Sequence, residues 1–201
     1  MDRKGVLLVF SGPSGAGKGA VCKALRESNP NLLLSISATT RPPRSGEVDG
    51  VNYYFVKSET FKKMIEENQL LEWAEVYGNY YGTPRSFVQE SLDRGNDVIL
   101  EIDIQGALQV KEKIPEAVLI FITPPSISDL EKRLFSRGTD SNVEILKRLS
   151  CAAEEIKLAT RYDYIVINDE INKAVSVISS IITSEKSRPR YFNRFFEQFI
   201  R

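Results

Sequence analysis

The stretch Val6-Leu7-Leu8-Val9-Phe10-Ser11-Gly12-Pro13-Ser14-Gly15-Ala16-Gly17-Lys18-Gly19 decides how the rest of the chain is read. Its five apolar residues are too few to span a bilayer and uniform enough for a strand buried on both faces. No A-x-A cleavage pattern comes after them, so Met1-Asp2-Arg3-Lys4 is not expected to open a secretory leader. The strand runs instead into a turn with the spacing G-x-x-x-x-G-K, from Gly12 through Gly17 to Lys18. Glycines let successive backbone N–H groups turn inward around phosphate oxygens. The helix that starts at Lys18 adds the positive end of its dipole, and the lysine supplies a point charge for terminal phosphates. Gly12, Pro13, Ser14, Gly15, Ala16, Gly17, Lys18 and Gly19 are therefore the expected triphosphate cradle. One departure is chemical: Gly19 and Ala20 stand where most such loops place a Mg²⁺-ligating hydroxyl. Either nucleotide oxygens and water hold the metal or another group substitutes, so no protein metal ligand is assigned.

Outward from this loop, short apolar runs alternate with helical patterns. The runs are Val6–Phe10, Leu32–Ile36, Val98–Ile102, Val118–Ile122 and Tyr164–Ile167. The helical patterns are Lys18–Glu27, Thr83–Arg94, Gln105–Lys113, Ser126–Ser136 and Val143–Thr160. Uniform strands separated by amphipathic helices predict an α/β fold with a parallel sheet covered on both faces. From Ser37 to about Tyr81 the alternation breaks. Tyr53-Tyr54-Phe55-Val56, Leu71–Val76 and Tyr80-Tyr81 there predict a small inserted sheet. A turn-rich segment, Arg137-Gly138-Thr139-Asp140-Ser141-Asn142, predicts a lid between two helices. The aromatic tail Tyr191–Ile200 reads as a helix docked on the core, with a homodimer contact as the alternative.

Composition narrows the chemistry. The 201 residues carry 27 basic and 27 acidic side chains, a net charge of zero, which argues against a broad nucleic-acid surface. The two cysteines cannot form a disulfide framework, as expected of a reduced cytoplasmic protein. Histidine is absent, which excludes imidazole triads and imidazole metal sites.

A second anionic pocket is suggested by Arg41-Pro42-Pro43-Arg44, two guanidiniums on a proline-stiffened turn suited to bidentate phosphate capture. Tyr53 and Tyr81 are candidate phenolic donors to the same phosphate, although strand tyrosines also serve as packing. In Glu72-Trp73-Ala74-Glu75, strand alternation puts Glu72 and Ala74 on one face. A pocketed carboxylate is an acceptor only, and guanine presents two adjacent donors that it can pair, as adenine does not. Ser37 and Thr83 could donate to the guanine oxygen. The strand Val98–Ile102 ends in Glu101 and Asp103, where a carboxylate of a phosphate-loop protein reaches the metal shell or substrate, or simply serves a turn.

With these residues assembled, the chain resembles the guanylate kinases, ATP-dependent nucleoside monophosphate kinases that convert GMP to GDP. The resemblance rests on Ser11–Lys18, Ser37–Arg44 with Gly46-Glu47, Glu72-Trp73, Gly78–Thr83, Glu101–Gly106 and Pro124-Pro125-Ser126. Arg133-Leu134, Arg137–Thr139, Arg148–Ser150 and Ile167–Asp169 continue it in order. It implies a phosphate-loop core of residues 1–36 and 87–201, a GMP-binding subdomain of residues 37–86, and a lid near 137–142. Ser37, Glu72, Thr83 and Asp103 then match positions that read guanine. Arg41, Arg44, Tyr53 and Tyr81 match positions that hold the GMP phosphate. Lys18, Arg137 and Arg148 face the transferring phosphoryl group, with Arg44 close in the acceptor pocket; Arg133 lies on the ATP side, and Asn168 matches an adenine contact. The resemblance also implies Mg²⁺, ATP and GMP (with dGMP) as partners, a cytoplasmic enzyme of GMP recycling, and no membrane or nucleic-acid partner. A non-catalytic interaction module is the rival reading, disfavoured by the intact loop. A kinase for another monophosphate is the second, disfavoured by Glu72 and Thr83.

Overall fold

Where each apolar run pairs is seen in a computed structural model, which describes residues 4–76, 78–136 and 142–192. In chain order the first elements are β1 (Leu7–Ser11), α1 (Lys18–Ser28), β2 (Leu32–Leu34), β3 (Ala38–Thr39), β4 (Tyr54–Phe55), α2 (Ser58–Glu66), β5 (Leu70–Val76) and β6 (Asn79–Pro84). The remainder are α3 (Arg85–Asp93), β7 (Asp97–Glu101), α4 (Ile104–Lys113), β8 (Val118–Thr123), α5 (Ile127–Ser136), α6 (Asn142–Lys157), β9 (Tyr164–Ile167) and α7 (Ile171–Lys186).

Five strands form an all-parallel sheet in the order β2-β7-β1-β8-β9. Alternation along β1 explains the layers. Leu8 and Phe10 point into a core shared with Val21 and Leu25 of α1 and Ile178 of α7. Leu7 and Val9 point into the opposite core with Val88 and Leu92 of α3 and Ala107 and Val110 of α4. Each fully buried Leu or Phe contributes about 2–3 kcal/mol from area removed from water, which outweighs the ordering of its side chain. The fold is α/β, as the alternation predicts.

The four remaining strands form a mixed sheet in the order β4-β3-β6-β5, with β3 and β4 parallel and the other pairs antiparallel. Its own small core is Ala38, Phe61 and Leu70. Some boundaries differ from the sequence reading. β2 stops at Leu34 and not Ile36, because this edge strand has one neighbour and the chain turns away after Ser35 N–H donates to Ile99 O at 2.9 Å. The helix expected from Thr83 begins at Arg85: Thr83 belongs to β6, and Pro84, which has no N–H to donate, ends the ladder and precedes the helix. β3 is two residues long and has no periodic signal to announce it. α6 ends at Lys157 in a 3₁₀ turn, Leu158–Arg161. The proposed lid lies in residues outside those described, apart from Asn142, and so does the tail beyond Phe192. Among the described residues no helix is long and apolar enough to cross a membrane.

Candidate active site

The phosphate loop leaves β1 at Ser11 and enters α1 at Lys18. Gly12 adopts φ 138°, and a Cβ there would fall on the carbonyl oxygen of Ile122 in the neighbouring strand β8. Gly17 is the left-handed N-cap of α1 at φ 87°, with the Asn168 amide against the place a side chain would occupy. Only glycine meets both demands. The loop is braced from behind through one atom, the carbonyl oxygen of Ala16. It accepts Asn168 Nδ2 at 2.8 Å and Arg133 Nη1 at 3.3 Å. Arg133 Nη2 then donates to Asn168 O at 2.6 Å. Asn168, 3% exposed, thus commits an amide N–H to the loop, and Arg133 is divided between loop and β9 terminus. Lys18 Nζ donates to the Gly12 and Pro13 carbonyls at 2.6 and 3.1 Å, arching over the loop mouth. From α6, Arg148 reaches across to donate to Ser14 Oγ at 3.0 Å.

The carboxylates at the end of β7 meet this loop. Gly19 has no side chain, and a Cβ there would lie 3.5 and 3.6 Å from the two Glu101 carboxylate oxygens. Burial pushes the Glu101 pKa up, opposed by the charge of Lys18. Asp103 caps α4, accepting Gln105 N–H and Gly106 N–H at 3.2 Å each. Burial raises its pKa too, and those two N–H groups and Lys18 oppose the rise. Glu155 of α6, half-buried and raised by burial, also feels Lys18 and Asp103. The sequence reading missed this residue, since an acid in an amphipathic helix looks like any solvated one.

On the mixed sheet, Glu72 of β5 is 2% exposed and pairs in register with Thr83 of β6, whose hydroxyl donates to its Oε1 at 2.6 Å. A β-bulge between Leu70 and Glu72 breaks the alternation, so that Leu70, Leu71 and Glu72 are all buried. Leu70 enters the small core, and Leu71 enters the main one. Burial drives the Glu72 carboxyl up to about 7, with the Thr83 hydroxyl and the Lys113 charge pulling down and the Asp103 charge pushing up. Asp103 is thus the link between the two halves of the cleft, acting electrically on Glu72 and acted on by Lys18.

The basic turn is organised by an acid. Both Glu47 oxygens accept Arg41 Nη2, at 2.8 and 3.0 Å, and Glu47 Oε2 also accepts the Arg44 N–H at 2.7 Å. Arg41 lies over the rings of Tyr53 and Phe55, 5.5 and 5.9 Å from their centroids. Tyr53 meets Tyr81 edge to face at 6.0 Å, and burial raises its phenol pKa. The Arg44 side chain is exposed, and Ser37, on the connection from β2 to β3, is buried. Arg41, Tyr53 and Tyr81 therefore come together. Arg137 lies outside the described residues.

A phosphate loop on a parallel sheet, an arginine reaching it from a separate helix, and a buried acid on a second sheet are the features of a P-loop phosphotransferase. The guanylate kinase family model matches residues 4–185. Guanylate kinase of Caldanaerobacter subterraneus subsp. tengcongensis is 59% identical over 188 residues, 94% of this chain and 91% of that relative. Guanylate kinase of Clostridioides difficile is 52% identical over 198 residues, 98% of this chain and 97% of the relative. The crystal structure of guanylate kinase from Anaplasma phagocytophilum superimposes with a TM-score of 0.80 at 36% identity, covering 94% of this chain and 90% of that one. The chain belongs to the guanylate kinase family, and it is an enzyme, a kinase.

Proposed function

We propose that this enzyme transfers the γ-phosphoryl group of ATP to GMP, and to dGMP, yielding GDP or dGDP, with Mg²⁺ as cofactor. The observation that carries the choice of guanine is the buried Glu72 carboxylate with the Thr83 hydroxyl beside it. An ionised carboxylate pairs the ring N–H and amino group of guanine, and finds no such pair on adenine. Residues 37–86 act as the GMP-binding subdomain, with Ser37 and Asp103 completing the base pocket and Arg41, Arg44, Tyr53 and Tyr81 holding the phosphate. The bonds from Glu47 orient Arg41 and the Arg44 backbone for this role.

Lys18 and the loop N–H groups bind the ATP β- and γ-phosphates, while Arg148, with Arg137, neutralises charge on the transferring group. The acceptor is a phosphate oxygen already ionised at neutral pH, so no general base is needed. The Glu101 carboxylate faces the gap beside Gly19 and suits a place in a Mg²⁺ hydration shell, standing in for the hydroxyl that Gly19 and Ala20 lack. When bound with ATP, the metal neutralises the β- and γ-oxygens.

A coupled assay across GMP, dGMP, AMP, CMP and UMP tests the proposal. Turnover is expected with the two guanine nucleotides alone. Comparable turnover with AMP would overturn it.

A further inference from the structure

The two halves of the cleft are joined by one stripe of α4. Gly106, Gln109 and Lys113, spaced three and four apart, share a helix face. Each meets one of three consecutive residues of β5, Leu71, Glu72 and Trp73. Lys113 Nζ donates to Leu71 O at 2.7 Å. Gln109 takes both main-chain groups of Trp73: Nε2 donates to its carbonyl at 2.7 Å, and Oε1 accepts its N–H at 3.4 Å. β5 is an edge strand of the mixed sheet, and this amide occupies the hydrogen-bonding groups that a further strand would take. Between these two contacts lies Glu72. A Cβ on Gly106 would fall on Glu72 Oε2, with Glu72 Cδ at 2.9 Å and Asp103 Oδ1 at 3.1 Å. Gly106 has no positive φ, so its backbone does not require glycine. The carboxylate is what a side chain would disturb: a methyl group at 106 is housed only by displacing the Glu72 carboxylate.

We infer that Gly106 is a specificity-determining position, which seats the guanine-reading carboxylate of Glu72 against the start of α4 while Gln109 and Lys113 hold the strand in register. It acts through Glu72 and is a positioning residue. The consequence is that the base-reading end of the mixed sheet is tied to the parallel-sheet core, whereas the phosphate-holding turn around Arg41 is not held by this stripe. The inference rests on the assignment of Glu72 as the guanine reader.

The test is a cycle of G106A and E72D, with Q109A beside it, read by GMP titration calorimetry and by KM for both substrates. Alanine is the better helix former, so G106A should keep its helix content, and crowding at Glu72 should cost it only a few degrees of melting temperature. GMP affinity should fall about 30-fold, as for a mispaired buried site, with the ATP KM held within about twofold. In the E72D background, where the carboxylate is one methylene shorter, the penalty for G106A should shrink to about threefold or less. Q109A should weaken GMP about three- to tenfold by loosening the strand. Equal penalties for G106A in both backgrounds, or GMP binding by G106A at the parent level, would overturn the inference. E72Q separates the two layers: unchanged GMP selection by E72Q defeats the base-reading proposal, whereas its loss beside an unaffected G106A defeats the role of Gly106 alone.

Discussion

Between β1 and α1 the ligand-facing surface is main chain, shaped by glycine dihedral angles and braced at a single carbonyl by Asn168 and Arg133. Between β5, β6 and α4 it is side chain: a buried acid, a hydroxyl from the paired strand, and a helix that leaves room for both. On the proposed function the first surface takes any nucleoside triphosphate tail, because phosphates look alike and N–H groups read only charge and shape. On the proposed function the second tells one base from another, because donors and acceptors there have to be matched one for one. It stores a cost in doing so, since a carboxylate with a pKa near 7 is ionised against its own desolvation.

This contrast can be broken most severely at Lys18. K18A should lose about 3–4 kcal/mol of transition-state stabilisation, with GMP binding retained; calorimetry together with the coupled assay reads both. Loss of GMP binding in K18A would mean that the two surfaces are not separable. E72Q should do the reverse: discrimination between GMP and AMP falls by about 1–3 kcal/mol while the ATP KM holds. A donor then faces guanine's donors.

The pH response sharpens the comparison. Glu72 has a folded-state pKa of about 7, above its ordinary 4.5, so protonation favours the folded free enzyme. That stability is fully present below about 4.5 and is lost as pH rises through about 7. Thermal melts should therefore show E72Q gaining on the parent between pH 5 and 8, by about 1–3 kcal/mol. On the proposed function base binding runs the other way, because guanine pairs with the ionised carboxylate. Guanosine, which carries no titrating phosphate, should compete with GMP about tenfold more weakly at pH 6 than at pH 8, and E72Q should flatten that profile. The smallest effect belongs to the loop brace. N168A leaves Arg133 on the Ala16 carbonyl, so the loss should be about 1 kcal/mol of stability with a modest rise in ATP KM and no change toward GMP.

The same contrast explains how much is legible in the sequence. The phosphate loop, the five parallel strands and the helices between them follow from local spacing: glycines at fixed offsets, period-two and period-3.6 apolar patterns. Glu72 and Thr83 are visible as residue types, through the family pattern and the acceptor chemistry of guanine. Their pairing is not, since register across β5 and β6 depends on a bulge at Leu70 and Leu71 that strict alternation does not foresee. β3 escapes notice because two residues carry no period, and Glu155 because burial of a helical acid depends on what packs over it.

What the amino-acid order determined alone is the set of chain segments whose conformation is local, above all the turn from Ser11 to Lys18, where steric freedom at glycine selects the backbone. What only the tertiary structure decided is which distant side chains share a low-dielectric space. Glu72, Thr83, Asp103 and Gly106 meet there by the packing of α4 on an edge strand. The ionisation of a carboxylate in that space is a property of the assembled neighbours and of no single segment.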